Sequence, residues 1–360
     1  MREIIEGLVQ KVKLDLSDLT VITEAANGDY SYLPFIAAAS GARKVYALGR
    51  DSAYGSYSEN RQVILDRASE WGFDDVITVA KVDEFDIWHE GDIITNSGML
   101  RPINEQMLGK FKNTAVIPLM WETWEFRPHE IDIEACQSFE IPVIGTDEQY
   151  KDIDMYHYPG MLAMKLLFEV NSDFSSDKIV LIGGGLTGSL IARTLSKFNN
   201  DLLWYADEAL LRITALESRP YSSLEEVLMQ NGVETIFIAE HAIHDLLIGQ
   251  NAKLSFKDLA EKFTNLKVVH LCGNIDTEDL NESQISFYPQ NIAPSGYMSV
   301  LPTVISPKPT LKLLCGGLKV GELAVRNRLE GASVEETIRK TVEYGIGQDF
   351  EGGFMNYGRA

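Results

Sequence analysis

The sequence predicts an α/β protein built of two Rossmann-like, doubly wound parallel-sheet domains with a cleft between them. Three observations carry this expectation. Short β-rich apolar runs alternate with amphipathic segments, the pattern of parallel strands covered on both faces. The alternation runs twice, on either side of a long, mostly helical stretch at 150–170. The chain has 360 residues and 45% hydrophobic content, enough core for about two domains.

The first series opens with "LTVITEA" as a strand and "YLPFIAAASGA" as a helix closing on Gly41. "KVYALG" (strand), "ENRQVILDRASEWG" (helix ending at Gly72), "DVITV" and "DIITN" (strands) come next. "INEQMLGKF" (helix), "TAVIPLM" (strand), "IDIEACQSFE" (helix) and "IPVIG" (strand) complete it. Right-handed crossovers are the default for such units. Pro159-Gly160 should start or kink the connecting helix rather than sit inside it. The second series is "KIVLIGG", a helix from about Leu186 to Phe198, "LLWYAD", "SLEEVLMQNG", "VETIFIAE", "KDLAEKFTNL" and "KVVHLCG". After Gly273 the pattern gives way to a loop-rich stretch over Asn274–Pro309, and loops of that length are often functional. Helical pattern returns in "TLKLLCGGLKVGELAVRNRLEG" and "SVEETIRKTVEYG". The domains are read as 1–150, a substrate-type domain joined by the helices of 311–360, and 151–310, a nucleotide domain.

A net charge of −21 argues against nucleic acid and anionic membranes as partners, since both repel a strongly negative molecule. No apolar run reaches the roughly 18 residues of a membrane span, and the N-terminus lacks a signal-peptide core, so a cytoplasmic protein is expected. Cys136, Cys272 and Cys315 are too few and too scattered for a disulfide framework or a zinc site, and read as reduced, buried thiols.

"VLIGGGLTG" is the most legible motif. Gly183, Gly185 and Gly188 fill the fixed places of G-x-G-x-x-G, with Gly184, Leu186 and Thr187 between them. The first glycine permits a tight turn, the second lets a backbone approach a pyrophosphate, and the third lets the helix pack against the strand. The pyrophosphate would sit at the helix N-terminus. Asp207 comes about 20 residues later, where a carboxylate binds a ribose 2′-hydroxyl. Asp207 and Glu208 would repel a 2′-phosphate, which favours NAD(H) over NADP(H). A turn kept for packing, or a site for S-adenosylmethionine, are the other readings of the same residues.

The order of parts resembles the D-2-hydroxyacid dehydrogenase family, the formate and glycerate dehydrogenase group. The match is clearest from about Asn113 to Leu280, through "TAVIPLMWETWEFRPHEIDIEACQSFEIPVIGTDE", the glycine run and "SSLEEVLMQNGVETIFIAE". The resemblance implies a flanking substrate domain, a nucleotide domain, C-terminal helices returning to the first domain, and a homodimer. It also implies an Arg–Glu–His catalytic set, which this chain lacks. His270 to Asn274 contain no Arg, Ser283 to Pro309 contain no Glu, and "LPTVISPKP" carries Lys308 in the place of the family's His. The N-terminal part, "TEAANGDYSYLPFIAAASGARKVYALGRDSAYGS", resembles a second nucleotide-type half without a phosphate-loop glycine spacing.

Candidate chemical residues cluster after strand ends. Lys308 lies between two prolines that would stiffen its backbone; as acid, base or anchor it competes with the plain reading of a solvated lysine. Asn96, Ser97 and Arg101 come after the strand at Asp92–Thr95, and Arg101 could grip a carboxylate or phosphate. Glu122 and Glu125, near Arg127, are acid–base candidates; helical spacing would place Trp121, Trp124 and Glu125 on one face, as a pocket wall or a packing patch. Glu240, His241 and His244 come after "TIFIA"; His241 is a proton-donor candidate, and it could share a helix face with His244 as a weak metal pair. Glu24 and Asp29 flank the end of the first strand, and His270 reads equally as a satisfied core histidine.

Three functions fit these residues: an NAD-dependent oxidoreductase for a small polar or anionic substrate, a dinucleotide-binding sensor without turnover, and an S-adenosylmethionine-dependent transferase.

Overall fold

A computed structural model describes residues 1–53, 55–173, 175–207, 220–241 and 243–358. Two compact units divide the chain: Met1–Met155 with Pro307–Ala360, and Tyr156–Ser306.

In the first unit, α1 (Arg2–Val12) precedes β1 (Thr20–Glu24), α2 (Leu33–Ala39) and β2 (Lys44–Gly49). Then come α3 (Tyr57–Trp71), β3 (Ile77–Lys81), β4 (Ile93–Ile94), α4 (Glu105–Leu108), β5 (Ile117–Pro118), α5 (Ile133–Ser138) and β6 (Val143–Thr146). The strands lie in the order β3-β2-β1-β4, all parallel. A parallel bridge from Ile93 to Val116 carries the sheet on through β5 to β6. α3 shows why local sequence suffices in places. Ser56 and Glu59 form a reciprocal capping box at its start, and Gly72 closes it at φ 76°.

The second unit starts on α6 (Tyr158–Glu169), β7 (Ile179–Ile182), α7 (Gly185–Leu195) and β8 (Leu203–Tyr205). It continues with α8 (Leu224–Leu228), β9 (Thr235–Ala239), α9 (Phe256–Lys262), β10 (Lys267–Cys272), α10 (Thr277–Glu282) and β11 (Ser286–Tyr288). Its parallel sheet runs β8-β7-β9-β10-β11. Beyond β8, Tyr221 bridges in parallel to Tyr205, and its N–H donates to the Trp204 carbonyl at 2.7 Å. Numbered along the chain, both sheets therefore run 3-2-1-4-5-6. Alternate residues of each strand feed two cores: Ile179, Leu181 and Phe237 pack on one face, Val180, Ile182 and Ile236 on the other. Two covered faces are the environment that continuous apolar runs require.

The chain then re-enters the first unit as α11 (Lys308–Leu329), α12 (Val334–Glu343) and the strand β12 (Gly347–Gln348), antiparallel to β6. α11 is buried through its middle, and its Gly317 brings the helix so close that a Cβ there would lie 2.5 Å from the Met120 sulfur.

Several expectations are corrected. Only 158–169 of the stretch 150–170 is helical. Pro159 lies in the first turn of α6, as expected, and Gly160 is there because a Cβ would overlap Thr194 of α7. The stretch 274–309 is not one loop: it holds α10, β11, a 3₁₀ turn at Pro302–Val304 and the start of α11. Its strand and helix are too short to leave a periodic signal. Among the described residues, no helix is long and apolar enough to cross a membrane. All three cysteines are free and buried.

Candidate functional site

Each sheet reverses its winding beside its first strand, between β1 and β4 and between β7 and β9. Ligands of open α/β sheets bind at the carboxyl ends of strands bordering such a point.

In the second unit this point is occupied by the glycine run. β7 ends at Ile182, and α7 begins at Gly185, whose φ is 56°. A Cβ on Gly183 would overlap the backbone carbonyl of Ala239, and one on Gly188 would overlap the carbonyl of Gly183. Two of the three fixed glycines are thus needed for close backbone packing, and Gly185 adopts the left-handed conformation that glycine enters most readily. The sheet anchors the loop. Trp204 donates its indole N–H to the Gly183 carbonyl at 2.7 Å, and the Gly183 N–H donates to the Tyr205 carbonyl at 3.0 Å. Gly185, Leu186 and Thr187, in the first turn of α7, are partly exposed, while Gly184 is buried. Asp207 lies exposed two residues beyond β8, and Glu208 falls outside the described residues.

Glu240 comes directly after β9 and is only 1% exposed. One carboxylate oxygen accepts the Gly184 N–H at 2.6 Å, and the other accepts the Ile243 N–H at 3.1 Å. The sequence placed Glu240 at a strand end but gave it no role. Burial and the charges of Asp207, Glu240 and Glu225 push the nearby Tyr205 hydroxyl above its usual range. His241 is half-buried beside Glu240 and His244 is exposed. Neither stands on a helix, which corrects the shared-face expectation, and the described residues contain no group of three or more His, Cys, Asp or Glu suited to a metal. His270 is a satisfied core residue. Its Nε2 donates to the Gly273 carbonyl at 3.0 Å, and Ser299, which accepts the Ala293 N–H, donates its hydroxyl to Nδ1 at 2.8 Å. Burial holds the imidazole below its ordinary pKa, in the neutral form.

In the first unit the equivalent strand ends gather carboxylates. Glu24, the last residue of β1, is 5% exposed, accepts the Met99 N–H at 3.2 Å, and is pushed up to about 7 by burial. Asp29 stands half-buried in a 3₁₀ turn over Gly28–Tyr32 and is raised for the same reason. After β5, Glu122 is buried and accepts the Trp124 indole N–H at 2.6 Å. Glu125 is pushed up to about 7 by burial first and by Glu122 next. Glu148, after β6, is raised well above the carboxylate range by burial and then by Glu125 and Glu122. Sequence reading missed Glu148, although it lies at a strand end like the rest. The Tyr30 hydroxyl, raised by burial first, feels both Glu24 and Glu125. Glu24 and Glu125 can therefore hold and release protons near neutral pH.

Arg101 is not open to a substrate in this arrangement. It pairs with the buried Glu130, donates to the Asn96 carbonyl at 2.6 Å, and lies over the Trp121 ring with its guanidinium carbon 4.6 Å from the centroid. Arg127 pairs with the same Glu130 at 3.0 Å. Asn96 is structural through Oδ1, which accepts the Met120 N–H at 3.1 Å, and Ser97 hydrogen-bonds Thr95. The helical face expected for Trp121, Trp124 and Glu125 is a single 3₁₀ turn, Thr123–Glu125, with Trp124 exposed. Lys308 is not in a stiff loop: it is the exposed first residue of α11, with Pro307 as cap and Pro309 next in the helix, where proline suits a helix start.

Two sheets of dinucleotide-binding order, one carrying a complete glycine loop, define a protein of the two-domain Rossmann class. Solved structures share this fold. Dipicolinate synthase from Bacillus subtilis is 14% identical with a TM-score of 0.55, over 88% of this chain and 99% of that one. Its counterpart from Bacillus halodurans is 14% identical with a TM-score of 0.50, over 84% and 96%. The NAD+-bound 3-phosphoglycerate dehydrogenase of Entamoeba histolytica is more distant, 14% identical with a TM-score of 0.43 over 89% and 98%. No protein-family model matches the sequence, and no curated protein matches it either. The two-domain α/β fold expected from the sequence resemblance is the fold of the two dipicolinate synthase structures.

Proposed function

We propose that the chain is an NAD(H)-dependent oxidoreductase for a small polar substrate, active as a homodimer. The observation that carries this reading is the glycine loop: Gly183 and Gly188 packed backbone to backbone, Gly185 opening α7, and Asp207 beyond β8. Gly185, Leu186 and Thr187 would present N–H groups to the pyrophosphate, and Asp207 would bind the adenosine ribose. Bound NAD(H) would supply the hydride, so the protein needs orientation and one proton carrier. His241, which follows Glu240 at the end of β9, is the proton-carrier candidate in the same unit as the glycine loop. An anionic substrate loses its support, because Arg101 and Arg127 are both engaged by Glu130.

One observation favours a second reading. The Glu240 carboxylate on the loop opposes a diphosphate and would tolerate S-adenosylmethionine, which has none. Calorimetric titration with NADH, NADPH and S-adenosylmethionine separates the two. NADH binding is expected, abolished by Gly185→Asp and weakened about tenfold by Asp207→Ala, the scale of one lost hydrogen bond to a charged group. Binding of S-adenosylmethionine alone would replace the oxidoreductase reading with the transferase.

A further inference from the structure

The N-terminus of α7 favours anions by construction, since its first N–H groups have no helical partner and the helix dipole points its positive end there. This molecule places its own anion at that point. Glu240 leaves β9 directly beside β7, because the two strands are neighbours in the sheet. Its carboxylate accepts the Gly184 N–H at 2.6 Å and is closed off from solvent. The Ile243 N–H fixes the second oxygen, so the carboxylate is anchored from both sides. The Tyr205 hydroxyl, raised by burial first, also feels Asp207 and Glu240, while Glu225 beside it is paired with Lys253 at 2.5 Å.

Resting on the dinucleotide reading above, we infer that Glu240 is a built-in competitor of the cofactor's pyrophosphate and sets the affinity of the glycine loop for phosphate-bearing ligands. A diphosphate entering the loop meets a fixed charge of its own sign at hydrogen-bond range from Gly184. It must displace that carboxylate or bind against its repulsion. The adenosine part of the ligand, which reaches toward Asp207, is indifferent to Glu240. Glu240 therefore discriminates by phosphate and not by base or ribose, and it keeps the unliganded loop satisfied.

The test is Glu240→Gln, which keeps an oxygen to accept the Gly184 N–H and removes the charge. Kd is measured by calorimetry for NADH, ADP and adenosine, with thermal denaturation of each protein as a check on folding. The expected result is NADH and ADP bound at least roughly tenfold more tightly by the variant, the scale of one poorly screened unit charge, with adenosine unchanged. Unchanged or weaker NADH and ADP binding by a folded variant overturns the inference and leaves the dinucleotide reading intact. Equal tightening for all three ligands also overturns it, since that would report a reshaped pocket. If neither protein binds NADH or ADP, the dinucleotide reading fails and this inference fails with it. Should Glu240→Gln not fold, Glu240→Asp serves instead: it withdraws the carboxylate by one methylene, and the same selective tightening, smaller in size, is expected.

Discussion

The two units share a strand order and differ in the connection that leaves the first strand. In the second, β7 passes through Gly183–Gly184 into an eleven-residue helix, leaving backbone N–H groups at the switch point. In the first, β1 ends on a buried carboxylate and continues through Ala25–Asn27 and a 3₁₀ turn before α2 begins. One connection offers donors and suits an anion; the other offers acceptors and holds protons. Topology locates a site at the strand ends, and the first loop decides its chemistry.

Steric cost separates the two loops most. Gly183→Val should destabilise the second unit by about 3 kcal/mol or more, because the new side chain meets backbone that cannot move aside. Gly28→Ala in the first unit has open space around its Cβ and only a φ of 57° to strain it, so about 1 kcal/mol is expected. Hydrogen-exchange mass spectrometry resolves the two units separately. Equal costs would mean that the glycine loop is no more tightly built than an ordinary turn.

Protonation gives the next largest contrast. The folded-state pKa of Glu24 is raised from 4.5 to about 7, so the folded unit binds more protons than the unfolded chain between those values. Its stability therefore falls as pH rises through that window. Glu24→Gln should stabilise the first unit by up to about 3 kcal/mol at pH 8 and by little at pH 4, as read from exchange protection of β1 amides. A pH-independent effect would show that the carboxyl is not protonated on folding.

His270 in the second unit works in the opposite sense. Its folded pKa is lowered, so the unfolded chain takes up the proton first as pH drops. Stability from this group is complete above about 6.5 and is lost as pH falls below it. Protection of β10 amides should decline from pH 7 to pH 5 while that of β1 amides does not. The smallest effect expected is for Ser299→Ala, about 1 kcal/mol at pH 7, since Nδ1 loses its donor. No loss on this substitution would place the Nδ1 interaction outside the stability of the unit.

The alternation of strands and helices was legible because each long element carries its own periodicity and, at Ser56 and Ser255, its own cap. The two-residue strands β4 and β5 and the six-residue α10 are set by pairing and burial rather than local pattern, so they blurred into longer runs or into loop. The glycine run could be read because its requirements are backbone requirements, stated by residue type alone. Arg101 could not: its partner Glu130 lies 29 residues away, and nothing local to either residue shows that they meet. Glu148 is illegible for the same reason, since its protonation depends first on burial and then on Glu125 and Glu122, all set by the tertiary fold.

By itself the sequence determined the α/β class, the two series, the acidic charge and the glycine fingerprint, all of which are fixed by composition, period and local backbone geometry. Only the tertiary structure decided that the first sheet repeats the strand order of the second, that the arginines are already paired, and that a carboxylate from the end of β9 occupies the loop after β7. Those facts are contacts between residues distant in sequence, and the energy of a buried charge depends on which groups the fold sets beside it.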